Sequence, residues 1–155
     1  MNAANSMLLG GGGVDGAIHR AAGPELLSAC KEVRRTHYPQ GLPVGEAVIT
    51  PGFRLPARFV IHTVGPNRHW GQCDPADLAR CFTSAAQRAL DKHCETTAFP
   101  AISAGVYGWD MAQVANVAVT ALREWAASHP ESDRLAVTFA LFKPEATAIW
   151  LAALA

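Results

Sequence analysis

The spacing of apolar residues along this chain alternates between a helical period and short, nearly continuous runs. Three segments repeat apolar side chains every three or four residues, the spacing of one face of an α-helix. Their stripes are predicted to be Leu26, Leu27, Cys30 and Val33; then Leu78, Cys81, Phe82, Ala85, Ala89 and Leu90; then Val114, Val117, Ala118, Ala121, Leu122 and Trp125. Together with two shorter segments they predict helices over residues 14–22, 25–36, 75–93, 111–125 and 144–154.

Apolar runs between these helices predict strands over residues 47–50, 58–64, 97–99 and 135–142. The last run is almost wholly apolar or small, which is typical of a strand covered on both faces. Alternating strands and helices predict an α/β sandwich whose ligands bind beyond the carboxyl ends of the strands.

Residues that begin helices support these boundaries. Asp74 followed by Pro75 is an N-cap followed by proline at the first helical position. Asp110 is predicted to cap the fourth helix in the same way. The two aspartates therefore mark where the third and fourth helices start.

The most informative polar positions surround the glycine run Gly10–Gly13, which lies directly before the first predicted helix. A glycine loop that ends at a helix N-terminus favours anions, because free N–H groups and the positive end of the helix dipole meet there. Asn2 and Asn5 precede the run, and Asp15 and His19 share one face of the helix. A phosphate site and a flexible link both fit this pattern, whereas a P-loop and the dinucleotide fingerprint do not.

Composition limits the possible partners. The chain has 155 residues, half of them apolar and 17% charged, so it is expected to be one globular domain. Lys plus Arg equals Asp plus Glu at 13 each, which argues against nucleic acid or an anionic membrane as the main partner. The four cysteines lack C-x-x-C spacing, which favours structural thiols over a zinc site. No secretory or membrane-spanning run is found, so a cytoplasmic location is expected.

Several segments resemble, in order, the signature of the macrodomain family, in particular its MacroD-type ADP-ribosylhydrolase branch. They are Asn2-Ala3-Ala4-Asn5-Ser6, Leu8 to His19, Gly45 to Gly52, Val60 to Pro66 and Phe99 to Gly108. The resemblance runs from residue 2 to about residue 142, and it extends over nearly the whole chain.

This resemblance implies a three-layer α/β/α sandwich with a mixed central sheet, formed by residues 1–155 as a single macrodomain. It also implies hydrolysis of mono-ADP-ribose esters on acidic side chains and of O-acetyl-ADP-ribose, with ADP-ribosylated proteins as partners and no cofactor or metal. The strands that the family carries before its Asn-Ala-Ala-Asn segment are expected to be missing here. The acid with which the family reads adenine lies in a turn among those strands and has no counterpart here. ADP-ribose is therefore expected to bind weakly, with poor selectivity for adenine.

The same resemblance implies roles for individual residues. The catalytic set is Asn5 on the distal ribose, Asp15 orienting or deprotonating a water, and His19 orienting Asp15 or the ribose. The ligand-binding set is Gly11, Gly12, Gly13 and Val14 in one loop, Ser103, Ala104, Gly105, Val106 and Tyr107 in a second loop, and Phe142 beside adenine.

Structural roles remain open for several of these side chains. Asn2 is predicted to tie the loop by side-chain to backbone bonds, which is also the alternative for Asn5. Asp15 alone would complement the helix dipole. His62 is interpreted as a sheet histidine with its hydrogen bonds satisfied, and Phe142 as a possible core residue. At the level of function, a non-catalytic ADP-ribose reader and a remnant with an impaired adenine pocket stay as alternatives to the hydrolase.

Overall fold

The computed structural model describes residues 1–155, which form five strands, five α-helices and two short 3-10 turns. The strands are β1 (Asn2–Ala4), β2 (Ala47–Pro51), β3 (Phe59–Val64), β4 (Thr96–Phe99) and β5 (Ala136–Phe139). The helices are α1 (Gly13–Ala22), α2 (Pro24–Thr36), α3 (Pro75–Asp91), α4 (Met111–Ala127) and α5 (Pro144–Leu154). All five predicted helices are confirmed, with small differences at their ends. None of the helices is both long and apolar enough to cross a lipid bilayer.

The strands form a mixed sheet in two hydrogen-bonded groups. In the first group β3 lies between β1 and β2, parallel to β1 and antiparallel to β2. In the second group β4 and β5 are parallel, with Ala98 opposite Thr138. The predicted mixed sheet is therefore confirmed.

Helices cover both faces of the first group. Successive side chains of a strand point to opposite faces, so neighbouring residues of β3 belong to different apolar clusters. Val60 and Val64 of β3 pack with Leu26 and Cys30 of α2 in one apolar cluster. Ile61 belongs to the larger cluster built with α3, α4 and Trp150 of α5. The molecule is thus a three-layer α/β/α sandwich, as the resemblance implied.

The predicted caps of α3 and α4 are present. The backbone N–H of Ala76 donates to Asp74 Oδ1 at 2.9 Å, and that of Gln113 donates to Asp110 Oδ2 at 3.1 Å. Each bond satisfies one of the free N–H groups in a first helical turn. The sequence alone therefore located these two helix starts correctly.

One expectation about strands is wrong, and one strand was not predicted. The last strand was predicted over 135–142 and covered on both faces, but β5 is only Ala136–Phe139 and its first three residues are exposed. Only β4 is hydrogen-bonded to β5, so one edge of this strand is open. Asn2–Ala4, within the Asn-Ala-Ala-Asn segment and not among the strands predicted from the apolar runs, forms β1, parallel to β3.

Candidate functional site

Two loops follow the carboxyl ends of parallel strands, where ligands of α/β sheets bind. The first loop (Asn5–Gly12) joins β1 to α1, and the second loop (Ser103–Gly108) lies between β4 and α4. Burial, together with the negative charge of Asp15, raises the pKa of Tyr107. Since Asp15 follows the first loop and Tyr107 belongs to the second, the two loops lie within electrostatic reach of each other.

The side chain of Asn5 ties the first loop to itself. Its Nδ2 donates to the carbonyl oxygen of Gly10 at 2.9 Å, and its Oδ1 accepts a longer bond, 3.4 Å, from the N–H of Leu9. The sequence predicts this tying role for Asn2, which is wrong, and gives it as the alternative for Asn5, which is confirmed. Asn2 bonds the side chains of Asp15 and His62 instead, because it belongs to β1 and is buried below the loop.

The start of α1 is open, as a phosphate site requires. Gly12 is the N-cap and no side chain caps the helix, so Gly12, Gly13 and Val14 keep backbone N–H groups without a side-chain partner. A Cβ added at Gly12 or Gly13 would meet nothing within 4 Å, so another molecule can approach the backbone there. Gly16 differs, because a Cβ there would overlap the carbonyl oxygen of Gly11.

Asp15 lies beneath this opening, in the first turn of α1, and is only 6% exposed. Asn2 Nδ2 donates to Asp15 Oδ1 at 2.8 Å, and His19 Nε2 lies 3.5 Å from the same oxygen. The other oxygen, Oδ2, has no hydrogen bond to the protein and faces Gly11 of the first loop, where an added Cβ would lie 3.7 Å from it. One carboxylate oxygen is therefore held while the second faces the loop.

A buried polar cluster continues behind Asp15. His62 Nδ1 lies 3.2 Å from Asn2 Nδ2, and His62 Nε2 lies 3.0 Å from Thr50 Oγ1 and 3.8 Å from Cys30 Sγ. Burial lowers the pKa of His62 to about 3, so the ring is neutral at physiological pH. Burial, and then the charge of Asp15, raises the pKa of Cys30 to about 11, which keeps the thiol protonated. The prediction that His62 is a bonded sheet histidine is confirmed.

The second loop is held mainly through its backbone. The N–H of Trp109 donates to the carbonyl of Ser103 at 3.1 Å, and the N–H of Arg68 donates to that of Tyr107 at 2.9 Å. Ser103 is buried at a φ of 67° and its hydroxyl has no partner. Ala104 is half-buried, and Gly105 and Val106 are exposed, so the tip of the loop is free to meet a ligand.

The indole of Trp70 lies beside the second loop, with its ring centre 6.5 Å from that of Tyr107 and 74% of the residue exposed. From sequence it was one of four tryptophans without a pattern, because its short 3-10 turn gives no periodicity. Phe142 was predicted at the end of the last strand, but it follows β5 by three residues and is 87% exposed. Phe142 is therefore not a core residue, and its place beside adenine stays a prediction.

Other parts of the surface lack this chemistry. A cleft of about 340 Å³ between α2, β2 and α3 contains none of the predicted site residues, and its one acid, Asp91, belongs to the last turn of α3. No group of three or more His, Cys, Asp or Glu side chains is arranged to hold a metal ion. The acid, the amides and the open helix start occur together only at the two loops.

A fold of this topology with an open glycine loop above a buried acid defines a class of nucleotide-binding α/β proteins, and comparison with known proteins specifies the family. Residues 1–118 match the Macro domain family, and the chain belongs to it. The bovine ADP-ribose glycohydrolase MACROD1 is 47% identical over 94% of this chain, which spans 44% of that protein.

Solved macrodomains share the fold. The macrodomain of Oceanobacillus iheyensis with ADP is 43% identical, with a TM-score of 0.91, over 99% of this chain and 80% of that one. The Trypanosoma brucei macrodomain in complex with ADP-ribose is 36% identical, with a TM-score of 0.86, over 99% of this chain and 62% of that one.

Proposed function

We propose that this protein binds ADP-ribose and hydrolyses the ester that joins ADP-ribose to an acidic side chain or to an acetyl group. The observation that carries the proposal is the buried carboxylate of Asp15, with Oδ1 held and Oδ2 directed to the first loop. The ADP and ADP-ribose complexes of the two solved relatives support the ligand, and the ADP-ribose glycohydrolase MACROD1 supports hydrolysis as the type of reaction.

Binding would use backbone donors, since the formal net charge of the chain is zero and cannot attract an anion from a distance. The N–H groups of Gly11 to Val14 would hold the pyrophosphate at the uncapped start of α1. The second loop, Ser103 to Tyr107, would close over it with its exposed tip at Gly105 and Val106. The long bond at Asn5 Oδ1 leaves acceptor capacity on that oxygen for a ribose hydroxyl.

In the reaction, Asp15 Oδ2 would orient a water and take up its proton as the water oxygen attacks the ester carbonyl carbon. The bond between that carbon and the ribose oxygen then breaks, and the ribose oxygen takes the proton that Asp15 removed from the water. The products are ADP-ribose and the free carboxylic acid. His19 would hold the carboxylate from one side and Asn2 from the other. A phosphate of the substrate is a second candidate for the base.

The test is release of ADP-ribose from a protein modified on Glu or Asp, and from O-acetyl-ADP-ribose. Asp15→Asn keeps the size of the side chain but removes the base, so we expect kcat to fall about 10²- to 10⁴-fold. Asp133→Asn, at an exposed acid outside the site, is the control and should act as wild type. Absence of release by micromolar wild-type protein would overturn the proposal.

A non-catalytic ADP-ribose reader is the second candidate. It is favoured by the internal bonds of Asn5 and Asp15, because both side chains already have structural partners. A reader would bind ADP-ribose in a calorimeter with no turnover, and Asp15→Asn would then change no measurable rate. If Asp15→Asn abolishes hydrolysis while ADP-ribose still binds, the reader hypothesis is rejected.

A further inference from the structure

We infer that His62 is a positioning residue for Asp15, and that it acts by fixing the side-chain amide of Asn2. This inference rests on the proposed hydrolysis, in which the orientation of the Asp15 carboxylate decides where the attacking water is held. His62 itself touches neither loop in the hydrogen-bond network and would not contact substrate.

The three residues are brought together by strand register. Asn2 of β1 is directly opposite His62 of the parallel strand β3, and their side chains reach Asp15 of α1 and Cys30 of α2. Asp15 reaches down from the first turn of α1 to the same amide. Asn2 and His62 are fully buried, so bulk solvent does not reach either side chain.

The hydrogen-bond directions follow from the chemistry of the groups. An ionised carboxylate only accepts, so the amide must turn its nitrogen, and not its oxygen, to Asp15. The second N–H of that nitrogen then points to His62 Nδ1, which must accept. A neutral imidazole that accepts at Nδ1 carries its proton on Nε2, where Thr50 Oγ1 is the acceptor at 3.0 Å.

The amide carbonyl shows that this orientation is imposed on Asn2. Its Oδ1 is buried and has no hydrogen-bond partner. A buried carbonyl without a partner is unfavourable, so the orientation persists because both N–H groups are satisfied, one by Asp15 and one by His62. Without the acceptor at His62, one N–H of the Asn2 amide loses its partner, and the orientation toward Asp15 becomes less favourable.

One asparagine variant and one glutamine variant of His62 distinguish the roles of its two ring nitrogens. His62→Asn places an amide oxygen where Nδ1 lies and can still accept from Asn2, whereas His62→Gln places its amide near the Nε2 position and cannot. Thr50→Val is the matched control, because it removes the partner of Nε2 at a buried site but leaves the acceptor at Nδ1. For each variant we would measure kcat, KM, the Kd for ADP-ribose and the melting temperature.

We expect His62→Gln to lower kcat about tenfold, with KM and Kd little changed, because a charge-assisted bond to Asp15 is weakened and the phosphate contacts are not. His62→Asn and Thr50→Val should stay within about threefold of wild type, less than the loss of one such bond. Equal losses of kcat in all three, in step with their melting temperatures, would mean a purely structural role and overturn the inference. So would wild-type kcat in His62→Gln.

A measurement on the unmodified protein separates this inference from the proposed function and does not depend on any variant folding. Long-range ¹H–¹⁵N correlation of the imidazole should show His62 with its proton on Nε2 and none on Nδ1, in the presence and absence of ADP-ribose. A proton on Nδ1 would overturn the inference even if the enzyme is active. Lack of ADP-ribose release by wild type would overturn the proposed function, and the positioning of Asp15 for hydrolysis with it.

Discussion

The two loops reach the same site but are held in different ways. The first loop has side-chain ties in addition to backbone bonds: Asn5 is bonded within the loop, and Asp15 is anchored through Asn2 to His62. The second loop is fixed mainly by backbone bonds, and its tip at Gly105 and Val106 is exposed.

The difference matches what each loop would do. A carboxylate that orients a water needs a fixed direction and a dry surrounding, which a buried side-chain network supplies. Backbone N–H groups that meet a phosphate need only a stable turn with open space before it. We therefore expect substitutions around the first loop to affect stability and those at the tip of the second loop to leave it unchanged.

The largest expected effect is the acid sensitivity of the network behind the first loop. His62 has a pKa of about 3 when folded against about 6.5 when unfolded, so the unfolded state binds one more proton between these values. The free energy of unfolding contributed by this site is complete above about pH 6.5 and falls by about 1.4 kcal/mol per pH unit below it. Urea unfolding between pH 7 and pH 4 measures this slope.

The control for that slope is His62→Asn, which cannot titrate in this range. The stability of the variant should fall less steeply than that of wild type, by about 1.4 kcal/mol per pH unit, which corresponds to one proton. Parallel curves for the two proteins would show that His62 is not the group responsible.

Next in size is the contact between α1 and the first loop. Gly→Ala in a helix usually stabilises by about 0.5–1 kcal/mol, but the Cβ of Gly16→Ala would overlap the carbonyl of Gly11. We expect a net destabilisation of about 1–3 kcal/mol from this overpacking. Gly105→Ala in the second loop, where a Cβ meets nothing within 4 Å, is the matched control and should be close to neutral. A more stable Gly16→Ala protein would contradict the packing described.

Removing the tie within the first loop should have a smaller effect. Asn5→Ala deletes one good hydrogen bond and one long one, so a loss of about 1 kcal/mol in chemical unfolding is expected. Val106→Ala, at an exposed position of the second loop, should change stability by under about 0.5 kcal/mol. Equal losses in the two variants would remove the contrast between the loops.

The smallest effect is expected at alkaline pH and belongs to the second loop. The raised pKa of Tyr107 means that the unfolded state releases its proton first, so stability falls as the pH rises past the unfolded value of about 10. Tyr107→Phe should reduce this alkaline loss and leave stability at pH 7 unchanged. Melting temperatures measured across that range for the two proteins provide the check, and identical alkaline slopes would exclude Tyr107 as the source.

Local patterns in the sequence were sufficient for the helices, for their caps at Asp74 and Asp110, and for the pairing of Asp15 with His19 on one face of α1. These features depend on neighbours within about four residues, which is the range of helical periodicity and capping. The open glycine start of α1 was foreseen for the same reason.

Tertiary structure decided what depends on distant residues. The register of β1 on β3 sets Asn2 opposite His62, and no local pattern contains that pairing. The extent of β5 depends on which strands pair with it, so an apolar run of eight residues yields a strand of four, and Phe142 lies exposed beyond its end. Composition and periodicity describe a segment's own preferences, whereas a buried amide shared by an aspartate and a histidine exists only after three elements have packed together.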